Sequence, residues 1–152
     1  MGSQHKICKM PFTVLMADDD SDDRFVMEHA FKELGKDAEL RFVEDGKELM
    51  EYLHRSGKYT DPALSPRPSL ILLDLNMPKK DGRQALMEIK TVQDLRKIPV
   101  VVWTTSYLEE DKIQCRKAGA DSFITKPMDY TELLNTIKGL VTKYSSAERC
   151  VS

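Results

Sequence analysis

The chain is 152 residues long, 41% hydrophobic and 32% charged, with a formal net charge of −2 at pH 7. That length suits one domain able to bury roughly 70% of its unfolded surface in its own core, and the composition is globular rather than disordered. The near-neutral charge gives no pointer to nucleic acid. No apolar run approaches the roughly 18 residues of a membrane span. The three cysteines, Cys8, Cys115 and Cys150, are dispersed and form no CxxC pair. This argues against a disulfide framework or a zinc site and fits a reducing cytoplasm.

In chain order, Phe12–Ala17 is a short apolar run that breaks at Asp18 and predicts a first strand. Val26, Met27, Ala30, Phe31 and Leu34 then recur at helical spacing, and Gly35 supplies a stop. Asp20, Asp22 and Asp23 read as helix-start residues, favoured there by capping and the helix dipole. Leu40–Val43 alternates as a second strand. Gly46–His54 predicts a helix with Leu49, Met50 and Leu53 inward. Ser56–Ser69, with Pro62, Pro66 and Pro68, is long for a connection. It reads as an ordered surface loop, with partner docking as the alternative. Leu70–Leu73, Val100–Trp103 and Ser122–Thr125 are further strands; Gly82–Lys90 and Glu109–Lys117 are further helices. Asp129–Glu132 is a capping box opening a last helix, whose apolar face is Leu133, Leu134, Ile137, Leu140 and Val141. Strands apolar on both faces and alternating with helices predict a single doubly wound (βα)5 α/β fold with a parallel sheet.

Open parallel sheets bind ligands beyond the carboxyl ends of their strands. Asp18, Asp19 and Asp20 follow the first strand, Asp74 and Asn76 the third, Thr104 the fourth, and Lys126 the fifth. Carboxylates brought together at one edge repel, by about 4 kcal/mol per pair at 4 Å and an effective dielectric of 20. A divalent cation relieves that repulsion, and hard oxygen ligands without Cys or His select Mg²⁺. Asp19 and Asp74 are the expected metal-binding carboxylates. Lys126 and Thr104 are placed to contact phosphoryl oxygens, so the chemistry suggested is phosphoryl transfer onto a carboxylate. Trp103 reads as core. His5, His29 and His54 share no metal-ligand spacing.

Taken together and in this order, Val14–Asp20, Leu70–Pro78, Asp81–Gly82, Pro99–Thr105, Ala118–Asp121 and Ile124–Pro127 resemble the receiver domains of two-component response regulators. The resemblance covers residues 11–143. It leaves 1–10 as an N-terminal extension and 144–152 as a polar tail, with no output domain expected. It implies the flavodoxin-like strand order 2-1-3-4-5. It also implies that Asp74 accepts a phosphoryl group from a histidine kinase or phosphotransfer protein. Asp19 would ligate Mg²⁺ directly, Asp18 mainly through metal-bound water, and Asn76 through its backbone carbonyl. Thr104 and Lys126 would contact the phosphoryl group, Thr104 and Phe123 would form the switch pair, and the Lys126–Pro127 peptide would be cis. The surface of the fourth helix, fifth strand and fifth helix would bind an output partner or a second copy of the chain. The long loop and the Asp-rich opening are similar to stand-alone regulators paired with bacterial phytochrome kinases. The chain is expected to modify itself, by phosphorylation and autodephosphorylation, rather than to turn over a separate substrate. Two rival readings are weaker. A Mg²⁺ phosphatase with an Asp nucleophile would want a second acid where Asn76 stands. An inert receiver serving only as an interaction module would have lost one of Asp19, Asp74 or Lys126.

Overall fold

The computed structural model describes residues 12–35 and 38–148. Strands β1 (Phe12–Ala17), β2 (Ala38–Val43), β3 (Leu70–Leu73), β4 (Val100–Thr104) and β5 (Ser122–Thr125) alternate with helices α1 (Ser21–Leu34), α2 (Gly46–His54), α3 (Gly82–Thr91), α4 (Glu109–Lys117) and α5 (Tyr130–Glu148). All strand pairs are parallel and the sheet order is β2-β1-β3-β4-β5, the flavodoxin-like order expected.

The inner strands β1, β3 and β4 are buried along their whole length, as runs apolar on both faces require. Strand side chains alternate between faces, and this alternation sorts the core into two layers. Leu15, Ala17, Ile71, Leu73, Val100 and Val102 face α2 and α3, where they meet Leu49, Leu53, Ala85, Leu86 and Ile89. Val14, Met16, Leu70, Leu72, Val101 and Trp103 face α1 and α5, where they meet Met27, Phe31, Ile137 and Leu140. Edge strands β2 and β5 are only half buried over most of their length.

The helices are fastened unequally. Asp81 caps α3, accepting from the Arg83 amide, and α3 buries Gly82, Ala85, Leu86 and Ile89. Helix α4 has no side-chain cap and buries Cys115 alone. Among the described residues no helix is long and apolar enough to cross a membrane.

The structure departs from the sequence reading at a few places. β2 begins at Ala38, two residues before the expected start: its ladder with β1 starts at the Phe12–Ala38 pair, and Ala38-Glu39 carries the alternation of Leu40-Arg41-Phe42 back to it. Val26 is 37% exposed, while Met27, Ala30 and Phe31 carry the inner face of α1. α5 continues through Glu148, so part of the expected tail is helical, and Tyr144 packs against the α1–α5 layer. The N-terminal extension and residues 149–152 lie outside the described residues. The Lys126–Pro127 peptide is trans, against the cis bond the resemblance implies. The long connector holds two short 3-10 turns, Gly57–Tyr59 and Pro62–Leu64. Its Ser65 is fully buried and donates to the Tyr59 and Asp61 carbonyls, while Tyr52 donates to Pro66 and Arg67 to the Leu53 carbonyl. Here, as expected, the proline-rich segment is an ordered surface loop, pinned by these bonds.

Candidate functional site

The site forms where the parallel ladder ends. The Asp18 amide donates to the Val43 carbonyl and the Asp74 amide to Ala17, which continue the ladder one residue past β1 and β3. Two carboxyl side chains therefore emerge side by side at the sheet's carboxyl edge. The Lys126 amide donates to the Thr104 carbonyl at 2.7 Å, which fixes the end of β5 against the end of β4. Close packing sets the rim from below. A Cβ on Gly82 would lie 2.3 Å from the Asp74 carbonyl oxygen, so only glycine lets α3 start against that residue.

Asp18, Asp19 and Asp74 each bring a carboxylate oxygen within 4.8 Å of one another. Asp18 and Asp74 are buried and Asp19 is exposed, so the cluster opens to solvent on one side. Asp18 Oδ1 accepts from the Asp20 amide at 2.9 Å, and Asp74 Oδ1 accepts from the Asn76 amide at 3.1 Å. Lys126 Nζ donates to Asp18 at 3.0 Å, Asp23 at 2.6 Å and Asp74 at 3.1 Å. Burial pushes the Asp18 carboxyl up to about 6; the Asp20 amide and the Lys126 ammonium pull it back, and the Asp74 charge adds to the rise. Burial alone would lower Lys126, but its bond to Asp23 and the charges of Asp74 and Asp18 hold it above the ordinary lysine range. An all-oxygen cluster with two buried carboxyls side by side fits a hard divalent cation, which would offset both the cost of their burial and their mutual repulsion.

Thr104 is fully buried at the end of β4, and its Oγ1 accepts from the Ser106 amide at 3.3 Å. A hydroxyl used as acceptor keeps its proton for donation. Phe123 is half buried and packs against the α2–α3 layer. Trp103 is core, as expected, in the α1–α5 layer. Asn76 is exposed at the rim, next to Asp74.

Asp18, Asp19, Asp74 and Lys126 are thus brought together, with Thr104 and Asn76 on the adjoining strand ends. Asp23 joins them. It reads from sequence as a helix-start acid, and Asp22 fits that role, while Asp20 is the N-cap of α1. Asp23, though, makes the shortest of the three bonds to Lys126. Its place held a signal. It stands in the first turn of α1, which starts just after the β1 strand end, so the helix start keeps it at the same mouth.

The response regulator receiver domain profile matches residues 14–138. Response regulator Rcp1 of Synechocystis sp. is 40% identical over 130 residues, covering 86% of this chain and 86% of that one. The crystal structure of the Mn²⁺-bound form of Rcp1 aligns over 86% of this chain and 91% of that one, with a TM-score of 0.76. The phosphorylated cyanobacterial phytochrome response regulator RcpA is 35% identical, with a TM-score of 0.84 over 94% of this chain and 100% of that one. The bacteriophytochrome response regulator AtBRR is 30% identical, with a TM-score of 0.71 over 86% and 93%. By profile, relatives and fold alike, the chain belongs to the response regulator receiver domains of two-component signalling, and its likeness is to the phytochrome-associated regulators among them.

Proposed function

We propose that Asp74 accepts a phosphoryl group from a histidine kinase, one of phytochrome type, or from a phosphotransfer protein. The observation that carries this reading is the Lys126 ammonium held against Asp74 beside Asp18 and Asp19. A Mg²⁺ ion would be held by Asp18, Asp19, Asp74 and the Asn76 carbonyl, and would neutralise charge on the transferred phosphoryl group. An Asp74 oxygen attacks phosphorus, a bond to that oxygen forms, and the bond to the donor breaks. Lys126, kept fully charged by its neighbours, turns one of its donors to a phosphoryl oxygen. Thr104 donates its hydroxyl proton to another.

The modified Asp74 gains roughly two negative charges, by analogy with other phosphorylated side chains. Charge-assisted hydrogen bonds contribute about 1.5–3 kcal/mol each, and driving a switch from 1:99 to 99:1 takes about 5.5 kcal/mol. Bonds from Thr104 and Lys126 together just reach such a switch at the upper end of that range, and one alone does not. The Thr104–Phe123 pair then moves α4, and the α4–β5–α5 face binds an output partner or a second copy of the chain. Exposed Tyr107, Leu108 and Ile113 lie on the approach to α4 and on it, and give that face apolar area. In this reading the receiver spans residues 11–143, works in the cytoplasm, acts by contact through its own surface and turns over no separate substrate.

Intact-mass measurement after incubation with a small phosphodonor and Mg²⁺ tests the central step. One added phosphoryl group is expected, lost with chelator and lost in Asp74→Asn. A gain that persists in Asp74→Asn removes the proposal.

A further inference from the structure

The turn between β4 and α4 is tied down by polar bonds that the phosphoryl reading leaves unused. Ser106 Oγ donates to Asp111 Oδ2 at 2.6 Å, and the Leu108 amide donates back to Ser106 Oγ at 3.2 Å. Thr125 Oγ1 donates to the Ser106 carbonyl at 2.9 Å. The other Asp111 oxygen accepts from Arg83 Nη2 at 3.1 Å, and Arg83 Nη1 lies 3.4 Å from Asp81. The chain of contacts therefore runs from the first turn of α3, seated on Asp74 through Gly82, across to α4. It then returns through Ser106 to the Thr104 hydroxyl.

The Asp111 side chain is 16% exposed, and its ion pair with Arg83 and its bond to Ser106 hold the carboxyl below the ordinary range. This matters because α4 has little else. It has no side-chain cap and one buried residue. Arg83 and Asp111 stand 28 residues apart and on different helices, so this pair is a tertiary tie and not helix decoration.

We propose that Asp111 is a positioning residue: with Arg83 and Ser106 it forms a latch that holds the β4–α4 turn, and through it Thr104, in the resting arrangement. This inference rests on the phosphoryl reading above. In the resting arrangement the Asp74 carboxylate is engaged by Lys126 and the Asn76 amide, and the Thr104 oxygen by Ser106. For Thr104 to follow a phosphoryl group, the Ser106 amide must follow or let go. Ser106 cannot follow while its hydroxyl is held by Asp111 and its carbonyl by Thr125. The latch therefore opposes the switch, and α3 anchors it. Releasing it favours the phosphoryl-bound state.

Binding of beryllofluoride, a phosphoryl mimic, with Mg²⁺ tests this, read by the fluorescence of Trp103, the chain's one tryptophan and the neighbour of Thr104. The comparison uses the full chain, Arg83→Met, Asp111→Ala and the double variant. Asp111→Ala and Arg83→Met are each expected to bind about threefold tighter, the scale of one partly exposed charged pair. The double variant should be no tighter than Asp111→Ala, because both break one chain of contacts. Arg83→Lys, which keeps a charge at that place, should return toward the parent affinity. Amides of residues 105–112 should exchange faster in both single variants. Unchanged or weaker binding by Asp111→Ala and Arg83→Met overturns the latch, as does a double variant whose gain is the product of the two. A merely structural role for Asp111 lowers the melting temperature and weakens binding, so tightening separates the two explanations. If the parent chain binds no beryllofluoride, or Asp74→Asn binds it equally, the phosphoryl reading has failed, and the latch fails with it. Loss of the tightening alone leaves that reading standing.

Discussion

Helices α3 and α4 flank the same end of the sheet and are nearly equal in length, at ten and nine residues, yet they are held by different forces. α3 sinks Leu86 and Ile89 into the core, carries a side-chain cap and rests Gly82 on the Asp74 backbone. α4 buries only Cys115 and otherwise depends on Asp111 and its partners. Apolar burial is non-directional and has no nearby alternative arrangement of equal energy. A hydrogen-bonded charge can exchange one partner for another. The contrast teaches which of the two helices is the freer: α3 is fixed by the core and carries the floor of the site, whereas α4 is loosely held.

The largest expected effect lies in α3. Leu86→Ala should destabilise the whole protein by about 2–5 kcal/mol in denaturant unfolding, because it leaves a cavity beside β3. Were the loss under about 1 kcal/mol, α3 would be no better anchored than α4.

The acid cluster is next. Asp18 is raised from 3.8 to about 6 in the folded chain. A raised folded-state value gives a stabilising contribution that is full below 3.8 and is lost as pH rises through about 6. In chelator, the thermal midpoint should therefore fall as pH rises from 3.8 to about 6, by the equivalent of up to about 3 kcal/mol at about 1.4 kcal/mol per unit, and level off above that. Asp18→Asn should flatten that slope and abolish stabilisation by Mg²⁺. Because Asp18 sits at the end of the buried strand β1, the change is global. Amides in α4 that tracked it with the same slope as β1 would show α4 to be part of the rigid body.

Native-state hydrogen exchange ranks the helices directly. Amides of α4 should open at a free energy at least about 1–2 kcal/mol below those of α3. Equal protection would erase the contrast. The smallest effect concerns a polar tie on the well-anchored side. Lys80 and His54 both pair with Glu88 of α3, on side chains about one-third exposed or more. Glu88→Gln should cost less than about 1 kcal/mol and leave α3 exchange unchanged, whereas Asp111→Ala should speed exchange in α4.

What the sequence reveals follows the same division. β1, β3 and β5 can be read to the residue because apolar runs that end on polar residues mark strand ends at the carboxyl edge. Asp18, Asp19, Asp74, Thr104 and Lys126 are legible for the same reason: topology alone carries strand ends to one place. The start of β2 is legible but weakly so, since Ala38, the smallest apolar side chain, is the residue that extends the alternation to its partner Phe12. The last turn of α5 hides behind Ser145 and its polar neighbours. Asp23 is half legible, through its place in the first turn of the helix that follows the β1 strand end. The Arg83–Asp111–Ser106 contacts are invisible, because charged residues far apart in sequence carry no mark of which will meet.

The sheet's edges bear on how much of this protein a cell can hold. An open parallel sheet leaves two rows of unpaired backbone groups, and such rows recruit other chains into fibres. Here β5 is only four residues long. On the opposite side, β2 carries Glu39 and Arg41 at alternate positions, paired to each other, and Arg41 also reaches the Leu64 carbonyl of the connector. A strand arriving from another molecule meets too short a template at one edge and a charged fence at the other. Copies of the chain can then accumulate without polymerising strand to strand, and association is left to the helices.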